Sequence, residues 1–372
     1  MMLTLLKNIE CYCPQNIGIR DIIIASDKIY KILPIGELIE FSLFDKIISC
    51  DGLCAFPGLI DQHVHIIGGG GEQGFGSHIT EIEVQDILMA GVTTLVGLLG
   101  ADSCLRSLEC LYAKAKALQI QGITTFIYSG SYQLPAITLT GNITRDIVLI
   151  DKVIGAGEIA ISDHRSSHPT INDLLALSSQ THIGGLLGGK AGVVHLHMGD
   201  GKEGLKLLFK LLNESDLPIE EFVPTHVNRN PNLFRQAVEF VRSGGNIDLT
   251  SGETSGIPVS EAVRILIEEG IELSKVTISS DANGSIPEGG SSKMQTLYDD
   301  IKECITEGIL TPEKAIGLAT ENVAKVLKIY PKKGTLQVGS DADILITDRN
   351  YEIQMLFCMG KLLVENGNVL SS

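Results

Sequence analysis

The chain has 372 residues, enough for one large domain and a smaller one. Its 45 acidic and 29 basic residues give a formal charge of −16, which excludes a phosphate-backbone binder, because that needs a basic surface. Apolar residues at 44% and charged residues at 20% exclude disorder, and no apolar run reaches the length of a membrane span.

The first residues, MMLTLLKNIECYCP, lack a basic leader and a small-residue cleavage site, so a cytoplasmic protein without signal peptide is expected. Residues 21–25, 28–33 and 46–50 read as short strands between turn residues. At Pro57-Gly58-Leu59-Ile60-Asp61-Gln62-His63-Val64-His65 an apolar strand ends in His-x-His, and four glycines, Gly68 to Gly71, follow. From there apolar runs alternate with amphipathic segments. Strands are expected at 91–99, 122–129, 158–161, 192–197, 222–226, 246–250 and 276–280, the third of them short. Helices are expected at 105–119, 204–212 and 260–269, with another opened by Pro231. About eight strand–helix units over roughly 265 residues match the size and rhythm of a (β/α)8 TIM-like barrel, an α/β fold. Residues 334–338, 342–346 and 353–357 again read as strands. The two chain ends, 1–55 and 325–372, are therefore expected to form one small β-sandwich domain, with the barrel inserted at 56–324. The core must come from Ile, Leu, Val and Ala, since there is no Trp and aromatics are only 5%. The eight cysteines have no C-x2-C spacing and read as reduced thiols.

A strand repeats every two residues, so His63 and His65 share a face, and at a barrel strand's C-terminal end that face turns to the catalytic mouth. Two convergent imidazoles suit Zn²⁺. His197, His226 and Asp281 close three later strands in the same manner.

With two histidines on the first strand, one on each of two later strands and an aspartate on the last, the chain resembles the amidohydrolase superfamily of metal-dependent hydrolases. Within it the chain is similar to the isoaspartyl (β-aspartyl) dipeptidases, across essentially its whole length. The matching runs include Gly97-Leu98-Leu99-Gly100, Ser129-Gly130-Ser131-Tyr132, Ala160-Ile161-Ser162-Asp163-His164-Arg165, His197-Met198-Gly199-Asp200, Pro224-Thr225-His226-Val227-Asn228-Arg229 and Ser279-Ser280-Asp281-Ala282-Asn283-Gly284-Ser285. The resemblance implies hydrolysis of β-aspartyl dipeptides by a metal-bound hydroxide. It assigns His63, His65 and Asp281 to one zinc and His197 and His226 to a second. Asp281 would also shuttle the proton, and Tyr132 would donate to the oxyanion. Glu72 would bind the substrate ammonium, Arg165 and Arg229 its carboxylates, and Ser285 would add a hydroxyl. The implied partner is a small dipeptide, with no nucleic acid and no membrane, and a homo-oligomer is expected.

Two positions depart from the family pattern. Glu158 stands where relatives carry a carboxylated lysine bridging both metals, so two zincs or one remain open. Ala101 replaces a threonine that contributes to substrate binding. Other candidates are set aside. His195 faces the same way as His197 one layer deeper and reads as a core histidine. His164 reads as an outer group, and His78, His168 and His182 receive no role. Lys190 lacks the P-loop pattern. The rival readings are another amidohydrolase, acting on cyclic amides or N-acyl amino acids, and an inactive scaffold.

Overall fold

Eight apolar stretches form parallel strands in the computed structural model, which describes residues 2–37, 40–286 and 290–370. They are β1 (Leu59–Val64), β2 (Val92–Gly97), β3 (Thr124–Ser129), β4 (Val153–Ile161), β5 (Val193–Met198), β6 (Phe222–Thr225), β7 (Ile247–Thr250) and β8 (Val276–Ser279). Strands β1 to β6 pair in sequence order, and β7 pairs with β8. The two groups meet on both sides. The Val227 amide donates to the Asp248 carbonyl at 3.5 Å, and the His65 amide to the Ala282 carbonyl at 2.9 Å, beside a parallel bridge between Val64 and Ala282. The ring is a TIM-like barrel. Every residue of these strands is buried except Thr124 and Phe126, which explains why they read as continuous apolar runs and not as alternating ones.

The intervening helices are set by local caps. Ser107 opens Leu108–Ile120 by accepting from the Cys110 amide, and Thr170 with Asp173 makes a capping box for Ile171–Gly188. Asn230 and Pro231 open Pro231–Arg242, which buries Leu233, Phe234, Ala237, Val238, Phe240 and Val241 at helical spacing. Inside the barrel the Asp248 carboxylate accepts from Gln62 Nε2 (2.7 Å), Thr277 Oγ1 (2.6 Å), Thr225 Oγ1 (2.7 Å) and Ser279 Oγ (2.5 Å). Four donors from three strands hold a buried carboxylate whose charge would otherwise be costly.

The chain ends do pair. Leu3–Tyr12 runs antiparallel to Asn16–Ala25 and parallel to Lys46–Ser49 and Cys54–Pro57. Cys54–Pro57 in turn pairs antiparallel with Ile344–Thr347, within one nine-stranded sheet. Leu6, Ile9, Ile22, Ile24, Ile344 and Phe357 belong to that sheet's own buried cluster.

Three expectations change. Leu3–Tyr12 is a ten-residue strand that the sequence reading passed over, because Lys7, Asn8 and Glu10 interrupt its apolar pattern. Strand β4 starts at Val153, not at 158, because Gly155 and Gly157 lower its apparent strand propensity. Residues 334–338 are not a strand: Gly334 turns with φ +78° and lies so close to the preceding helix that a Cβ would come within 2.6 Å of Ala324 Cβ.

Candidate active site

Every residue given a catalytic, metal or substrate role from the sequence lies at or beyond the C-terminal end of a barrel strand, except Glu158, which sits inside β4. His63 and His65 project from the end of β1, His197 from β5, and His226 and Asp281 follow β6 and β8. His226 and Asp281 both have left-handed backbones, φ +58° and +52°, which bend the chain at the strand ends and turn the side chains inward. Gly284 lies against Asp281 so closely that a Cβ would meet Oδ1 at 2.3 Å.

Two overlapping groups could hold a metal ion: His63, His65 and Asp281, and His63, Glu158 and His226. All five residues are buried. Asp281 Oδ1 lies 3.2 Å from His63 Nε2 and 3.0 Å from His65 Nε2. The Glu158 carboxylate faces both halves of the cluster. Its Oε1 lies 2.5 Å from His197 Nδ1 and 3.1 Å from His226 Nε2, and its Oε2 lies 3.4 Å from His63 Nε2 and 3.9 Å from His65 Nε2. Glu158 reaches this position through a bulge: two steps along β5, Val194 to Leu196, are matched by three along β4, Ala156 to Ile159. Gly155 and Gly157 permit it, since a Cβ on either would come within 3 Å of β5 (Val193 O at 2.3 Å, His195 Cβ at 2.8 Å).

The donor set fits a divalent metal. His63 Nε2, Glu158 Oε2 and Asp281 Oδ1 are buried with no hydrogen-bond partner, and they converge on one another. Buried polar atoms left so are rare, and nitrogen with carboxylate oxygen is the ligand chemistry zinc prefers. Burial opposes ionisation of Asp281 and Glu158, yet the facing histidines hold both carboxyls below the usual range. Burial presses His226 down to about 3, leaving a neutral imidazole, the form that ligates metals.

Around this centre the structure supplies partners that the sequence did not reveal. His195 is the core histidine expected, and its Nε2 lies 2.8 Å from His63 Nδ1, so it fixes the tautomer that turns Nε2 inward. Thr250 Oγ1 does the same for His226 Nδ1 at 2.7 Å. Asp163 joins His197 Nε2 (3.0 Å) to the Arg165 guanidinium (2.9 Å). His195 was marked by its two-residue spacing from His197 and Asp163 lay inside a matched run, whereas Thr250 carried no signal of either kind. His197 lies outside both metal-capable groups. Its Nδ1 faces Glu158 and, at 2.8 Å, the Tyr132 hydroxyl. Burial and Glu158 hold the Tyr132 phenol well above its ordinary pKa, so it stays protonated.

The mouth is a cavity of about 830 Å³ lined by Glu72, Asp163, Arg165, Arg229 and Ser285 among others. Glu72 Oε1 accepts from Arg165 Nη1 at 3.2 Å and from Ser285 Oγ at 3.0 Å. Arg229 Nη1 donates to the Met198 carbonyl at 3.0 Å. Glu72 and Asp163 thus share the mouth with two guanidinium groups, beside the buried cluster. The glycine run allows close packing of its own loop. A Cβ on Gly68 would lie 2.0 Å from the Ile79 carbonyl and one on Gly70 2.3 Å from the Ser77 carbonyl, so these glycines seat the following loop. Lys190 donates to the carbonyls of Ile147 (2.6 Å), Ile150 (2.5 Å) and Val153 (3.0 Å), a structural role. His164 is exposed.

Comparison with known proteins places this geometry. The amidohydrolase family model matches residues 54–363. The crystal structure of a beta-aspartyl dipeptidase from thermophilic, keratin-degrading Fervidobacterium islandicum AW-1, in complex with a beta-Asp-Leu dipeptide, is 41% identical. It superposes with a TM-score of 0.93 over 100% of this chain and 99% of that one. An imidazolonepropionase from Colwellia psychrerythraea is 24% identical over 88% of this chain and 85% of its own length. A dihydroorotase from Elusimicrobium minutum is also 24% identical, over 97% and 93% respectively.

Proposed function

This chain belongs to the amidohydrolase family, and from that premise we propose that it is a metal-dependent dipeptidase cleaving β-aspartyl dipeptides. The observation that carries the reading is the meeting of Glu72, Arg165 and Ser285 at a mouth also lined by Arg229, next to the buried histidine–carboxylate cluster. A β-aspartyl dipeptide carries one ammonium and two carboxylates. Glu72 receives the ammonium, Arg165 and Arg229 the carboxylates, and Ser285 completes the polar rim. His63, His65 and Asp281 would hold one zinc, His197 and His226 a second, with Glu158 between them. Bound there, zinc would polarise the scissile carbonyl and bring the pKa of the attacking water towards ~7. The Asp281 carboxylate would take the proton from the attacking water and pass it to the leaving amine nitrogen. The Tyr132 hydroxyl donates to the oxyanion as it forms. The fine division we propose is a small β-sandwich of 1–55 and 325–372, supported by its separate core cluster, and a catalytic barrel of 56–324. All eight cysteines are free thiols, which fits a cytoplasmic enzyme. Among the described residues no helix is long and apolar enough to cross a membrane.

The test is steady-state hydrolysis of β-Asp-Leu against its α-linked isomer. The β isomer is expected to be cleaved at least about 100-fold faster, because moving the scissile carbonyl by more than an ångström relative to the anchored charges costs that much. Equal rates, or faster turnover of dihydroorotate, would favour the cyclic-amide reading that the dihydroorotase relative suggests. Arg229→Met is expected to lower kcat/KM about ten- to a hundredfold with kcat little changed, the signature of a lost substrate carboxylate contact. Circular dichroism checks the fold, since Arg229 also holds the Met198 carbonyl.

A further inference from the structure

We propose that His78 is a positioning residue whose imidazolium fastens the loop carrying Glu72 to the segment after β2. The ring has two partners. Its Nδ1 lies 3.0 Å from the Phe75 carbonyl and its Nε2 3.0 Å from Asp102 Oδ2. A carbonyl and a carboxylate only accept, so both ring nitrogens must donate, and only the doubly protonated ring can do so. Asp102 is fixed for this task, because its Oδ1 accepts from the amides of Cys104 (2.9 Å) and Leu105 (3.0 Å). Gly71 leaves room for the ring, since a Cβ there would lie 2.8 Å from Nε2.

On the loop itself, Ser77 Oγ binds the Gly74 carbonyl at 2.8 Å and the Gln73 amide at 3.1 Å. With the Gly71 amide donating to the Ser77 carbonyl as well, residues 71 to 78 are cross-linked among themselves, and the imidazole is the side chain that ties them to Asp102. Of the charged groups around the ring, Asp102 and Arg106 come from the segment after β2, and Glu72 lines the same cavity from the loop itself. Arg106 opposes protonation, but its guanidinium is already bound to the carbonyls of Ile67, Gly69 (3.1 Å) and Ile79 (2.7 Å). The Phe75 carbonyl and the Asp102 carboxylate outweigh it and hold the His78 pKa above its ordinary value. The sign follows. The fastening is complete below the ordinary histidine range and is lost as pH rises through the raised pKa.

The role of Glu72 rests on the dipeptidase reading; the fastening does not. Two measurements between about pH 6 and pH 9 separate them. Amide hydrogen-exchange protection at Ser77 and Ile79, corrected for intrinsic rates, is expected to fall with pH in the wild-type chain. KM for β-Asp-Leu is expected to rise on the order of fivefold to tenfold in parallel, with the matching effect absent from kcat. Asp102→Asn keeps the acceptor for Cys104 and Leu105 and offers Nε2 a donor, so neutral His78 makes both bonds. That variant is expected to hold protection high across the range, with KM rising only as far as loss of the substrate's own ammonium proton requires. His78→Leu is expected to show high KM and low protection at every pH, with metal content and circular dichroism unchanged. A pH step in protection that survives in either variant, or no step in the wild-type protection, overturns the proposal. Should β-Asp-Leu not be a substrate at all, the dipeptidase reading falls, and hydrogen exchange alone still decides the fastening.

Discussion

Asp281→Asn is expected to lower kcat by about 10²–10⁴-fold, the usual contribution of a positioned general acid–base group. The carboxamide keeps the shape of the side chain but has no site at Nδ2 that can accept the proton. The fold should survive, because Asn is well tolerated at the left-handed φ of +52° and the Gly284 amide still donates to the residue's carbonyl. Asp281 also faces His63 and His65 as a candidate ligand, so elemental analysis must accompany the kinetics. Full metal content with collapsed kcat supports the proton role, and a fall in both assigns the loss to ligation. More than about a tenth of wild-type activity in a metal-replete variant refutes the role, since even weak acid–base help exceeds tenfold.

Glu158→Ala is expected to reduce metal content per chain and to lower kcat/KM by more than about 100-fold, beyond what loss of an outer-sphere partner costs. A carboxylated lysine would carry its carboxylate roughly 3–4 Å further from the backbone than glutamate does. The β4 bulge brings the backbone to the carboxylate's task instead, with Oε1 towards His197 and His226 and Oε2 towards His63. A glutamate needs no carbon dioxide to become a ligand. Reconstitution of the metal-free protein with zinc should therefore be insensitive to bicarbonate. Strong bicarbonate rescue would overturn the reading. It would also require a carboxylated lysine elsewhere, and Lys190, the first suspect, is held by the carbonyl groups of Ile147, Ile150 and Val153. Unchanged metal content in Glu158→Ala would make the residue a structural acid.

The eight-strand rhythm and the inward face of the His63–His65 pair were legible because strand periodicity is local: alternate residues share a face whatever the strand packs against. The residue types at strand ends stood out for the same reason, and the matched runs contain Arg165 and Arg229, which line one cavity with Glu72. Local patterns also misled where glycine and charge broke them, as at Leu3–Tyr12 and the start of β4. Tertiary structure alone decided which atoms meet. His195 behind His63, Thr250 behind His226 and Asp163 between His197 and Arg165 come from strands and loops distant in sequence, brought together by the stagger of a closing sheet. His78, unremarkable as a loop histidine, acquires Asp102 as its second acceptor only because the loop after β1 folds onto the segment after β2. A spacing rule reports the direction a side chain takes from its own backbone. The partner waiting there depends on register between strands, and here a single extra residue in β4 determines that Glu158 reaches both halves of the cluster.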